Sequence, residues 1–132
     1  MAKFCQRTIV AGGDSSEHDV SLRSAAGIDS WIDKETYDVY IVEVTGKNWQ
    51  AHLPNGKTSP VFLHNFSFKD AWGKDVRPDY AYITIHGTPG ENGILQGYFD
   101  LLGIPYSKQL FQKKRYLMFF LLLLHSFNAS RI

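Results

Sequence analysis

With 132 residues, 14 basic and 13 acidic side chains and a formal net charge of +1, the chain has the size of one ordinary domain. The near-neutral balance lacks the basic excess that nucleic-acid and anionic-membrane partners call for, so small polar ligands are the favoured class. A lone cysteine, Cys5, excludes an intrachain disulfide and a cysteine-rich zinc site, and without an N-terminal apolar run of signal-peptide length the reading is a cytoplasmic protein.

Thr8-Ile9-Val10-Ala11 predicts a central strand, and Gly12-Gly13 after it a loop whose backbone can come close to a ligand. Asp14, Ser15 and Ser16 offer N-cap oxygens for a helix with an apolar face of Val20, Ala25, Ile28, Trp31 and Ile32, ending near Lys34. A second strand is predicted from Tyr37 to Val44, completing a strand-helix-strand unit with a right-handed crossover. Positions 46–52 read as a hairpin arm and Pro54-Asn55-Gly56-Lys57 as a turn. Val61-Phe62-Leu63 and Phe66-Ser67-Phe68 are candidate short strands, whereas positions 69–78 have the polarity of a loop. Tyr80-Ala81-Tyr82-Ile83-Thr84-Ile85 predicts a buried strand with His86 at its carboxyl end. Ile94, Leu95, Tyr98, Phe99, Leu101 and Leu102 recur at helical spacing, with Gln96 and Asp100 on the wetter side. Gly103 and Pro105 stop that helix, and Ile104-Pro105-Tyr106 opens a further strand.

The most informative stretch, from His86 to Gly97, sets an imidazole, the Glu91 carboxylate and four glycines at a strand-to-helix junction. In open parallel sheets ligands bind outside the carboxyl ends of the strands. If the strands ending at Ala11 and Ile85 are neighbours, their loops share one cleft, in which Glu17 is an anion suited to an ammonium group and His86 and Glu91 form a pair with the ring's tautomer fixed. Plainer readings stand beside these: Glu17 complements the helix dipole, and His86 is a structural histidine. His18, His52, His64 and His125 have no metal-ligand spacing and read as surface or packing residues. Neither Gly-Lys-Ser/Thr nor Gly-x-Gly-x-x-Gly follows a strand, so no phosphate loop is predicted.

Two ordered blocks, positions 12–25 (Gly12-Gly13-Asp14-Ser15-Ser16-Glu17-His18 onward) and 86–97, with Asp100-Leu101-Leu102-Gly103-Ile104-Pro105-Tyr106 after them, resemble the D-alanine–D-alanine ligases, ATP-grasp enzymes of bacterial cell-wall (peptidoglycan) synthesis. The resemblance implies an α/β domain, a Rossmann-like open parallel sheet flanked by helices, of the kind that precedes ATP-grasp domains. It implies that Glu17 holds the ammonium of the first D-alanine, that His86 lies beside that substrate and that Glu91 orients His86, with Gly12, Gly13 and Ser16 completing the substrate loop. In the intact family enzyme, ATP with magnesium phosphorylates the first D-alanine, the amine of the second attacks the D-alanyl phosphate, and ADP and phosphate leave. Ligases that join D-alanine to D-lactate or D-serine share much of this pattern.

The resemblance covers positions 1–106. Positions 107–132 depart from it with a basic cluster and the apolar run Tyr116-Leu117-Met118-Phe119-Phe120-Leu121-Leu122-Leu123-Leu124. That run is about half the ~20 residues a membrane span needs. It reads as a non-family, helical tail of frameshift or truncation origin ahead of a membrane anchor. The resulting expectation is a first-substrate-binding portion that is inactive alone, holds no cofactor, binds D-alanine weakly, and forms a homodimer or pairs with an intact ligase subunit. The competing expectation is a non-catalytic dimerisation or small amino-acid-binding module.

Overall fold

The computed structural model describes residues 5–85 and 93–108. Strand β1 (Cys5–Gly12) lies at the centre of a six-stranded sheet, flanked in parallel by β2 (Tyr37–Thr45) and β7 (Tyr80–Ile83). The chain leaves β2 through Gly46, at φ 56°, and Lys47 into β3 (Asn48–His52), a two-residue hairpin with glycine at the turn position that needs positive φ. After the turn at Gly56, β4 (Thr58–Pro60) forms one edge; β8 (Tyr106–Lys108), parallel to β7, forms the other. The sheet order is thus β4-β3-β2-β1-β7-β8, a parallel four-strand half extended by an antiparallel hairpin.

Strand alternation sorts the core into two layers. Ile9 and Ala11 of β1 meet Ala25, Ile28 and Ile32 of the α1 side, while Val10 between them packs with Val42, Phe66, Leu95 and Phe99 on the opposite face. Helix α1 (His18–Trp31) therefore covers one face, and α2 (Ile94–Leu102) with the segment 61–76 covers the other. Gly103, at φ 72°, ends α2 as expected, its N–H and that of Ile104 returning to the Asp100 and Phe99 carbonyls. Arg7 is buried on the α1 side, its guanidinium 3.1 Å from Asp79 and set over the rings of Tyr37 and Tyr80.

Local details differ from the sequence reading. The N-cap of α1 is Glu17, not Asp14, Ser15 or Ser16, because Asp14 Oδ1 accepts from the Gly46 N–H and Ser15 Oγ from the Glu17 N–H. The helix stops at Trp31, short of Lys34, whose ammonium instead bonds Asp29. Trp31 is 47% exposed and does not belong to the packed face. The stretch 69–78 is not all loop: β5 (Phe68–Lys69) pairs with β6 (Asp75–Val76), and Asp70 Oδ1 ties the turn by accepting from the Trp72 and Lys74 N–H groups. Among the described residues no helix is long and apolar enough to cross a membrane.

Candidate functional site

The carboxyl ends of β1 and β7 lie side by side. Val10 is the register partner of Ile83, and the Thr84 N–H donates to the Val10 carbonyl, so the chain leaves β7 beside the loop that follows β1. Ser21, wholly buried on α1, fastens the two: its Oγ accepts from the Gly12 N–H (2.9 Å) and donates to the Thr84 carbonyl (2.7 Å). Ser21→Ala would orphan a buried donor and a buried acceptor, an expected loss of about 1–3 kcal/mol. Urea denaturation measures it, and a change below about 0.5 kcal/mol, the range of ordinary surface substitutions, would show that the bridge is dispensable.

Gly12 and Gly13 turn the chain at φ 99° and 91°. A Cβ on Gly12 would lie 2.8 Å from both the Val44 carbonyl oxygen and His18 Cε1, so position 12 has no room for a side chain. The N–H groups of both glycines are consumed inside the protein, that of Gly12 by Ser21 and that of Gly13 by the Val44 carbonyl (2.8 Å). These glycines shape the loop without presenting N–H donors. Glu17 and Ser16 lie exposed at the start of α1; the Glu17 carbonyl accepts the first helical bond from the Ser21 N–H, and its carboxylate makes no hydrogen bond to any other described residue. His86 and Glu91 lie outside the described residues.

The structure also gathers three side chains that sequence spacing does not single out. His18 Nδ1–H donates to the Gly13 carbonyl at 2.7 Å, while His18 Nε2 lies 2.9 Å from one Glu43 oxygen and His52 Nε2 2.9 Å from the other. The register brings Glu43 and His52 together: Glu43 opposes Gln50, and His52 stands two residues beyond Gln50 on β3, so the two are diagonal neighbours on one face. A two-residue turn at Gly46-Lys47, read from the sequence, would have predicted that pair; His18 joins it only through the packing of α1. The Gly13 carbonyl first, then Glu43, raises the His18 pKa above its ordinary 6.5. Burial pushes the Glu43 carboxyl up, but the bonds from His18 and His52 outweigh it and hold the group below its ordinary 4.5. His64 stands apart, exposed beside the Phe62 ring, and His125 lies outside the described residues. Among the described residues no three His, Cys, Asp or Glu side chains are arranged to hold a metal ion.

Comparison with known proteins bears on this site. A family model described as D-ala D-ala ligase N-terminus matches residues 6–108. A D-alanine–D-alanine ligase of Phocaeicola vulgatus is 65% identical over 99 residues, covering 75% of this chain and 30% of that protein. The corresponding ligase of Bacteroides thetaiotaomicron is 62% identical over the same shares. The chain thus spans about 30% of the length of these curated relatives. Among solved structures, D-alanyl-alanine synthetase A from Vibrio cholerae superposes with a TM-score of 0.65 at 30% identity, over 81% of this chain and 31% of that one. The VanG D-Ala:D-Ser ligase from Enterococcus faecalis superposes at 0.64 with 25% identity, over 77% and 35%.

Proposed function

This chain belongs to the D-alanine–D-alanine ligase N-terminal family, and on that premise we propose that it is the part of such a ligase that receives the first D-alanine. The single observation that carries the reading is the exposed Glu17 carboxylate, with no hydrogen bond to another described residue, at the start of α1 on the rim where β1 and β7 end side by side. A carboxylate there offers an ammonium group a counter-charge, and negative charge is well placed at the N-terminal end of a helix. His86 and Glu91 are assigned by resemblance: the imidazole beside the substrate, the carboxylate fixing its tautomer. Gly12 and Gly13 supply clearance, and Ser16 a hydroxyl.

The 132-residue chain, assayed by itself, is proposed to bind without turnover. ATP and magnesium supply the phosphoryl group and its charge neutralisation in the family reaction, and positioning of such groups carries nearly all of that chemistry. The coverage of about 30% of its relatives' length supports this assignment.

The test is an NMR titration of the 132-residue chain with D-alanine, run beside Glu17→Gln. D-Alanine is expected to shift the amides around Glu17 with millimolar affinity, a weak-ligand range of about −4 kcal/mol. The variant should weaken binding about tenfold or more, and no phosphate release should follow on adding ATP. Equal response to D-alanine, L-alanine and D-serine, or none to any, would remove the substrate assignment; ligase-rate phosphate release would overturn the no-turnover assignment.

A further inference from the structure

We propose that Glu43 and His18 are positioning residues: a protonated His18, gripped between the Glu43 carboxylate and the Gly13 carbonyl, fixes that carbonyl at the start of the loop leading to Glu17 and releases it when the ring gives up its proton. The inference rests on the substrate reading of Glu17 for its role, but its geometry is independent of it.

The hydrogen-bond arithmetic forces the protonation state. A carbonyl oxygen only accepts, so Nδ1 of His18 must carry a proton toward Gly13. An ionised Glu43 also only accepts, so Nε2 must carry one as well, and the ring is then an imidazolium. His52 donates to the second carboxylate oxygen, so Glu43 takes an N–H on each side. A neutral His18 has one N–H for two acceptors. Deprotonation therefore breaks the bond to Gly13 or sets a ring lone pair against the carboxylate. The Gly13 N–H is held by Val44 on β2 and Asp14 Oδ1 by the Gly46 N–H, so loss of the His18 bond acts at the Gly13 carbonyl between these two anchors.

The charges around the ring are Glu43 on β2 and Asp19 on α1, with His52 on β3 reached through Glu43 and Asp14 turned away to the Gly46 N–H. Both carboxylates favour the imidazolium. A histidine raised in the folded state stabilises fully below 6.5 and loses that contribution as pH climbs through its folded pKa; a carboxyl lowered in the folded state stabilises above 4.5 and fails as pH falls through its folded pKa. The Gly13 carbonyl is thus held most firmly between pH 4.5 and 6.5 and loosens on the alkaline side as His18 titrates.

Long-range nitrogen–proton NMR spectra of the 132-residue chain from pH 5 to 9 test this. The His18 nitrogens are expected to give the imidazolium pattern at pH 6 and a midpoint above 6.5, and the amides of residues 13–17 should titrate with the same midpoint. Glu43→Gln should lower the His18 midpoint by about one unit, the usual effect of removing one adjacent opposite charge. His52→Asn, which keeps the Glu43 charge and its bond to His18, should leave the midpoint above 6.5, and a midpoint lowered as far as in Glu43→Gln would count against the grip. A wild-type midpoint at or below 6.5, or loop amides indifferent to it, overturns the proposal. D-Alanine added at pH 6 and pH 9 separates the two claims. Loop amides that follow His18 while ignoring D-alanine support the grip and remove the substrate reading. A D-alanine response equal at both pH values, with loop amides that ignore His18, does the reverse.

Discussion

Phe99→Ala is expected to lower the unfolding free energy by about 3–5 kcal/mol, the usual range for emptying a buried phenylalanine site. Phe99 is fully buried, edge-on to Phe66 at 5.0 Å and to Tyr98 at 5.2 Å, with Tyr106 at 6.2 Å. More than area is at stake. Phe66 is the non-glycine residue with positive φ among those described, at 53°, a conformation that bulky side chains adopt at a cost and keep only when surroundings over-determine it. The rings of Trp49, Tyr98 and Phe99 supply those surroundings. Removing one therefore opens a cavity and relaxes a strained turn together, and because domains are stable by only about 5–15 kcal/mol, the loss is a large fraction of the whole. Urea denaturation followed by tryptophan fluorescence measures it. A loss under about 1 kcal/mol would mean that neighbouring rings collapse into the space.

Arg7→Ala is expected to cost about 3–5 kcal/mol, and Arg7→Met less than half of that. The Arg7 side chain is 2% exposed and Asp79 29%, so truncation leaves a void beside two tyrosine rings and an acid that water still reaches. Methionine refills most of the void without a charge to desolvate. The same denaturation assay distinguishes the contributions: if methionine is as damaging as alanine, the ion pair and the ring contacts dominate over packing.

Where the sequence was legible, the signal was local. The apolar runs of β1, β2 and β7 and the Leu102-Gly103-Ile104-Pro105 stop of α2 carry their structure in adjacent residues, and the neighbouring placement of β1 and β7 follows from two buried strands that both need a central position. Where it was not, a distant partner had taken the group. Asp14 reads as a helix cap but bonds a peptide 32 residues away, leaving the cap to Glu17. Trp31 fits the apolar spacing of α1 but is 47% exposed, the adjacent Ile32 entering the core instead. Strands of two residues, such as β5 and β6, are too short for any periodicity to show. Of the candidate site, Glu17 lies at the start of α1 on the rim; the Glu43–His52 pair lay hidden in a hairpin register and His18 in the docking angle of a helix.

The paired glycines after β1 carry a selectivity of their own. Since both backbone N–H groups are already bonded within the protein, an arriving phosphate or carboxylate finds no donor from these two peptides and gains nothing from them, while four positions after Gly13 stands the exposed acid Glu17. On the proposed reading of Glu17, D-alanine taken up along this rim would enter with its ammonium end leading.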